Sequence, residues 1–247
     1  MKDTLIVIPV YNEAPTLENV AQRTYTECKE YADILFVNDG SSDSSGSILE
    51  NEKTKNPSIR IINKSKNEGY GASLLSGFDF AIRNNYPFII TMDCDDQHQP
   101  KDLIRFRQED PNIDIISGTR YSKDSLSSGN APIERVQINK KITEKINKKY
   151  NWNLTDSFCG FKRYTTRSLI GHKIYETGYA FPMDFWAYAK YKNLQIRELA
   201  VDRIYVTDDR SFGEDLDKKR KRYRYYIQSW KNSHFKYFQE KLSTACF

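Results

Sequence analysis

The feature that most constrains this chain is a strict alternation in its first half. Short apolar runs rich in Ile, Val and Phe, at Thr4 to Pro9, Ile34 to Asn38, Ile59 to Asn63, Phe88 to Met92 and Ile113 to Ser117, are separated by stretches of helical spacing such as Leu17, Val20 and Thr24, or Leu74, Leu75, Phe78 and Ala81-Ile82. Runs of four to eight apolar residues fit strands buried on both faces, and strands that alternate with helices build a parallel sheet covered on both sides. The fold class expected is therefore α/β, Rossmann-like, with a mainly parallel sheet flanked by helices. After about residue 120 the alternation weakens into a helix near residues 135–149, a Gly-containing segment at 156–164, a second helix near 181–192 and a strand at 196–201.

In such sheets ligands bind beyond the carboxyl ends of the strands. Three polar clusters follow strands here: Tyr11-Asn12-Glu13, Asp39-Gly40-Ser41-Ser42-Asp43 and Asp93-Cys94-Asp95-Asp96-Gln97-His98. The third is the most informative. Asp93 and Asp95 are one residue apart, so both carboxylates can face one ion, and Gln97 continues the period with a neutral oxygen. A hard divalent cation, Mg²⁺ or Mn²⁺, suits such ligands and would hold a diphosphate as it departs. A lone D-x-D is also met in ordinary polar loops. Glu13 and Asp39 can accept hydrogen bonds from ribose hydroxyls or base N–H groups, although Thr16 or Ser42 would also serve as simple helix caps. Asn67-Glu68-Gly69-Tyr70-Gly71-Ala72 supplies glycines where backbone must approach a ligand.

Composition narrows the classes further. The chain has 247 residues, 38% hydrophobic and 29% charged, which is globular. No uninterrupted apolar stretch reaches the length of a membrane span, and Met1-Lys2-Asp3 runs directly into an apolar strand, so neither a transmembrane helix nor a signal peptide is expected. Cys28, Cys94, Cys159 and Cys246 are scattered without a CxxC pair, which points away from zinc and towards a reducing, cytoplasmic compartment. Much of the +5 net charge lies in Lys218-Lys219-Arg220-Lys221-Arg222-Tyr223-Arg224. Beyond it Tyr226-Ile227, Trp230, His234, Tyr237-Phe238 and Leu242 recur at helical steps, giving a domain at 1–213 and a basic amphipathic tail at 214–247. That tail can lie on the cytosolic face of an anionic membrane, pack on the domain or join a homodimer.

Five ordered motifs, PVYNE (9–13), VNDGSSD (37–43), NEGYGA (67–72), MDCDDQHQP (92–100) and SGTRY (117–121), together resemble the family 2 glycosyltransferases, in the branch of dolichyl-phosphate mannose synthase and related polyprenyl-phosphate enzymes. The resemblance covers roughly residues 4 to 213. It implies the A-type glycosyltransferase fold, a nucleoside-diphosphate sugar donor (GDP- or UDP-linked), inversion at the anomeric carbon and a divalent metal. It also implies that Pro9, Tyr11 and Glu13 form the nucleoside pocket and that Asp39 contacts the base. Asp93, Asp95 and Gln97 are then the metal and diphosphate residues, and Arg120, Arg135 and Arg210 hold donor and acceptor phosphates. Guanidinium forks suit that task, although Arg135 alone could be a solvated surface charge. Two departures bear on the acceptor: Asp215-Leu216 replaces an expected Ser-Lys pair, and Asn139 stands where serine is usual.

The acceptor is either a polyprenyl phosphate or a glycan hydroxyl, and only the hydroxyl needs a general base. Asp184 is the candidate base or acceptor ligand, or an ordinary exposed acid in the first turn of a helix; Asp156 is a second acidic candidate. His98 is expected to be structural. A non-catalytic nucleotide or nucleic-acid binder is the reading from another class, and the complete acidic motif favours an enzyme without a nucleic-acid partner.

Overall fold

The computed structural model describes residues 2–129, 131–205, 216 and 218–244, with side chains to 239 and that of Ser128 excepted. Seven strands form one sheet in the order β3-β2-β1-β4-β7-β5-β8. These are β1 Thr4–Val10, β2 Ala32–Asn38, β3 Ile59–Asn63, β4 Phe88–Thr91, β5 Ile115–Thr119, β7 Lys162–Thr165 and β8 Ile196–Ala200; β6 (Ser127–Ser128) and β9 (Arg203–Ile204) make a separate small ladder. Alternate residues of β1 enter different cores: Leu5 and Val7 face one, Ile6, Ile8 and Val10 the other. This is why the run reads as continuously apolar. Helices α1 (Ala14–Cys28), α2 (Ser45–Lys55) and α4 (Leu103–Gln108) cover one face, while α3 (Tyr70–Arg83), α5 (Ile133–Tyr150), α6 (Phe181–Tyr191) and α7 (Lys219–Thr244) cover the other.

The mainly parallel sheet is as expected, with one strand the reading missed. β7 runs antiparallel between β4 and β5, inside the segment read only as Gly-containing. Its sequence, Lys-Arg-Tyr-Thr, looks exposed, yet all four residues are buried. Arg163 makes this tolerable by donating to four backbone carbonyls, those of Phe106, Glu109, Asp110 and Ile113, which close the end of α4. The last strand of the alternation also begins two residues later than Ile113, because Asp110 to Asn112 form a turn whose Asp110 carboxylate accepts the Asn112 N–H.

The tail stripe is spent on packing. Tyr226, Trp230 and Tyr237 of α7 belong to the core shared with α5 and α6. The Trp230 indole donates to the Tyr150 hydroxyl at 2.8 Å, and the two rings meet edge to face. Among the described residues no helix is long and apolar enough to cross a membrane. Replacing Trp230 by Ala is expected to cost about 3–5 kcal/mol in denaturant unfolding, the usual loss for a buried Trp, whereas a helix merely resting against the domain would lose far less.

Candidate functional site

β1 lies between β2 and β4, so chain connections leave it in opposite directions, and the cleft opens at the carboxyl ends of β1 and β4 where that reversal occurs. It encloses about 360 Å³. Pro9, Tyr11, Glu13, Asp39, Asp93, Asp95, Gln97, Arg120 and Arg135 all line it, so the residues singled out in the first 135 positions converge on one cavity.

The loops are fixed to one another by the polar residues of the motifs. Asn12 takes a left-handed backbone (φ 55°), and its side-chain oxygen accepts the N–H groups of Ser42 and Asp43 at 2.8 and 3.3 Å. Glu13 N–H donates to Ser45 Oγ, and Ala14 N–H to the Asp43 carboxylate. Asp39 is itself largely engaged: its two oxygens accept the N–H groups of Glu68 and Gly69, and Lys64 Nζ lies 3.0 Å away. Gly69 has φ +105°, and a Cβ there would stand 2.5 Å from the Thr177 carbonyl, so this turn requires glycine.

The acidic loop is held equally firmly. Tyr70 Oη donates to Asp93 Oδ1 at 3.0 Å, and Gln97 N–H donates to Asp95 Oδ1. Asp93 N–H donates to His98 Nδ1, which places the ring proton on Nε2, and the buried ring stacks on Phe161. His98 is thus a support for the loop. From α1, Arg23 bonds Asp96 and Gln99, and Thr16 Oγ1 bonds the Cys94 carbonyl. Opposite Asp93 lies Gly160, where a Cβ would stand 2.6 and 2.8 Å from the two carboxylate oxygens.

This donor set fits a hard divalent ion. Two carboxylates and a side-chain amide face the cleft, and 29% of the Asp93 side chain remains accessible. No cluster of three or more His, Cys, Asp or Glu able to hold a metal occurs among the described residues. An ion here would therefore draw much of its shell from water and phosphate oxygens, as Mg²⁺ and Mn²⁺ do in phosphate-transfer sites.

The cleft is also lined by guanidinium groups. Arg120 grips Asp156 through Nε and one amino group, at 2.7 and 3.1 Å. Burial raises the Asp156 carboxyl, but Arg120, the Asn139 amide and the Phe158 N–H outweigh it and hold the group at about 2. Asp156 is thus an ionised anchor and a poor proton acceptor. Asn139, the departure from serine, supplies a 2.7 Å bond to that anchor. Arg135 reaches the same space from α5, and Arg222 and Tyr226, which the sequence reading left in the tail, reach it from α7.

Asp184 does not line the cleft. It is fully buried on α6, and its Oδ2 accepts the N–H groups of Tyr175 and Glu176 at 2.5 and 2.8 Å. Burial raises its pKa despite those bonds. The candidate base is therefore a tether for the loop that carries Gly178 and Tyr179 into the cleft. Arg210 lies outside the described residues. Tyr70 and Gly160 were also missed as site residues, since their contribution is a contact with Asp93 that exists only once the chain is folded.

Two substitutions test this geometry. Gly160→Ala should weaken Mn²⁺ binding by about tenfold or more, the range for disturbing a group that orients a metal ligand, with unfolding close to wild type; calorimetry reads it. Asp184→Asn should leave kcat within about twofold, because the side chain meets no substrate, whereas loss of a general base typically costs about a hundredfold or more.

Residues 5–170 match the model of glycosyl transferase family 2. An undecaprenyl-phosphate mannosyltransferase of Micrococcus luteus is 28% identical over 213 residues, covering 85% of each chain. A polyprenol monophosphomannose synthase of Mycolicibacterium smegmatis is 28% identical over 186 residues, covering 73% of this chain and 69% of its own. The fold is shared with glucosyl-3-phosphoglycerate synthase of Mycobacterium tuberculosis, solved with Mn²⁺, UDP-glucose and phosphoglyceric acid: the TM-score is 0.70 at 12% identity, over 94% of this chain and 80% of the other. With its A-type fold and the sequence motifs gathered in one cleft, the chain belongs to glycosyl transferase family 2 and is a glycosyltransferase.

Proposed function

We propose that the enzyme transfers a mannosyl group from a nucleoside-diphosphate donor to a polyprenyl phosphate, with inversion and with Mg²⁺ or Mn²⁺ held by Asp93, Asp95 and Gln97. The sugar and the acceptor class follow the names of the two relatives. The supporting observation from the chain itself is the distribution of charge. Among the described residues that line the cleft, the carboxylates Glu13, Asp39, Asp93 and Asp95 follow β1, β2 and β4, whereas Arg120, Arg135 and Arg222 come from the end of β5, from α5 and from α7. A hydroxyl acceptor would need a base there. A phosphate needs none, because it is already anionic, and guanidinium groups are suited to hold it.

On this reading Tyr11, exposed at the cleft mouth, and Pro9 flank the base, and Glu13 faces the ribose. Asp39 acts on the base mainly by fixing the loop at Glu68 and Gly69. A phosphate oxygen attacks the anomeric carbon from the face opposite the leaving group. The new C–O bond forms as the bond to the β-phosphate breaks, its electron pair leaves on the nucleoside diphosphate, and no proton moves. A bound divalent ion supplies charge stabilisation to that leaving group. Arg120, fixed by Asp156, and Arg135 supply more from the protein, with Arg210 a further candidate.

Contact with an anionic membrane fits the face beside the cleft. Lys141 on α5 and Lys219, Arg220 and Arg224 on α7 line one groove, and Ile133, at the start of α5, is exposed. Clustered cations next to an exposed apolar side chain suit a peripheral surface contact.

The test is transfer of radiolabelled mannose to a short-chain polyprenyl phosphate in the presence of Mn²⁺. Transfer should occur, should stop on chelation of the metal, and should fall by about a hundredfold or more in Asp93→Asn, given the several kcal/mol that metal stabilisation contributes. A protein that glycosylates only hydroxyl acceptors would overturn the reading.

A further inference from the structure

The C-terminal helix does more than cover the core, because its first turns form one wall of the cleft. Arg222 is only 6% exposed, yet it lines the cavity that contains Asp93 and Arg120. One of its amino groups donates to the Leu216 carbonyl at 3.3 Å, which fixes the side chain against the chain entering the helix. Tyr226, four residues on and hence on the same helix face, is buried edge to face against Phe158 at 4.8 Å. Its hydroxyl lies in the electrostatic field of both Arg222 and Arg135. Arg222 of α7 and Arg135 of α5 thus line one cavity together with the rings of Phe158 and Tyr226.

The helix carries this cation against its own electrostatics. Lys219, Arg220, Lys221 and Arg222 fill the first turn of α7, with no acid among them. That is the end where the helix dipole favours negative charge. A local conflict of this kind is tolerated where a site needs it.

We propose that Arg222 binds the acceptor phosphate and that α7 thereby forms the acceptor half of the active site, selecting a phosphorylated amphiphile over a neutral hydroxyl compound. This deepens the transfer reaction proposed above and rests on it. The phosphate sits between Arg222 and Arg135, and the first apolar units of the lipid lie on Phe158 and Tyr226. Ile138 lines both the cleft and the groove between α5 and α7, so the hydrocarbon chain leaves by that groove, past Tyr223.

The experiment compares the full chain with Arg222→Gln and Arg222→Lys. KM and kcat are measured with a short-chain polyprenyl phosphate, and Mn²⁺-dependent binding of UDP and GDP is measured by calorimetry. Arg222→Gln should raise the acceptor KM about tenfold or more, the loss of one charge-assisted contact, with nucleotide affinity within about twofold of wild type. Arg222→Lys, which keeps the charge and the stem, should fall between the two and serves where Gln impairs folding. An unchanged acceptor KM overturns the proposal, as does a loss of nucleotide affinity in parallel with the rise in KM in both variants, which would mark a donor-side or purely structural role. Failure of the wild-type protein to use polyprenyl phosphate is a different result, and it overturns the underlying reaction.

Discussion

The carboxylate of Asp93 has one place to stand, and much of the cleft is arranged around that fact. On one side the Tyr70 hydroxyl donates to it from the first residue of α3. On the other, Gly160 leaves a space that any Cβ would close. Below, its own N–H is taken by His98. These contacts come from three separate parts of the chain, so the position of this carboxylate reports on the packing of α3, the loop before β7 and the loop after β4 at once. Gly69 and Gly71 extend the same constraint, because each presses α3 against the backbone at residues 176 and 177. A metal ligand placed on a mobile loop would spend binding energy on ordering; here the folded core has already supplied that order.

Both signs of charge line the cleft, and the cationic side chains are held by what is buried beneath them. Arg120 could not stay there with an unpaired guanidinium at its back. Asp156 meets it with two oxygens, and Asn139, the Phe158 N–H and, through the backbone of residues 155 and 156, the Glu198 carboxylate hold that aspartate in place. Because Asp156 titrates at about 2, the pair is ionised at neutral pH. Its folded-state pKa lies below the ordinary carboxylate value, so the stability it contributes is complete above about pH 4 and is lost as pH falls towards 2. One guanidinium edge is consumed by Asp156, and the remainder faces the cavity.

The donor half was legible in the sequence because its residues sit immediately after strands whose apolar runs announce themselves. Where a strand ends, the next few residues emerge at the ligand-binding edge, and Tyr11, Asp39, Asp93 and Asp95 could be placed there from order alone. The acceptor half was not, for two physical reasons. β7 hides its character, since Lys162 and Arg163 are buried and donate to backbone carbonyls, which no pattern of polarity reveals. Arg222 sits in a run of cations whose exposed members look identical to it in sequence; only the packing of Tyr226 and Trp230 decides which one turns inward. The aromatic spacing of the tail was read correctly as a helix, and its partner, the core between α5 and α6, was one of several left open.

Asp184 shows how a plausible acid can be excluded on geometry, and what takes its place. Its bonds to the N–H groups of Tyr175 and Glu176 hold the start of the loop that delivers Gly178 and Tyr179. Glu176 is then caught by Tyr225 and Ser229 of α7, and Gly178 N–H returns to Glu176. Loop, α6 and α7 are thus one hydrogen-bonded unit along one wall of the cleft. A base in that unit would have to be accessible and free to take a proton, and Asp184 is neither near the substrate space nor solvated. What the unit does present to the cavity is aromatic surface and positive charge. In the proposed reaction an acceptor that arrives already ionised would match such a wall: the nucleophile would bring its own negative charge, and the protein would have only to hold it in line.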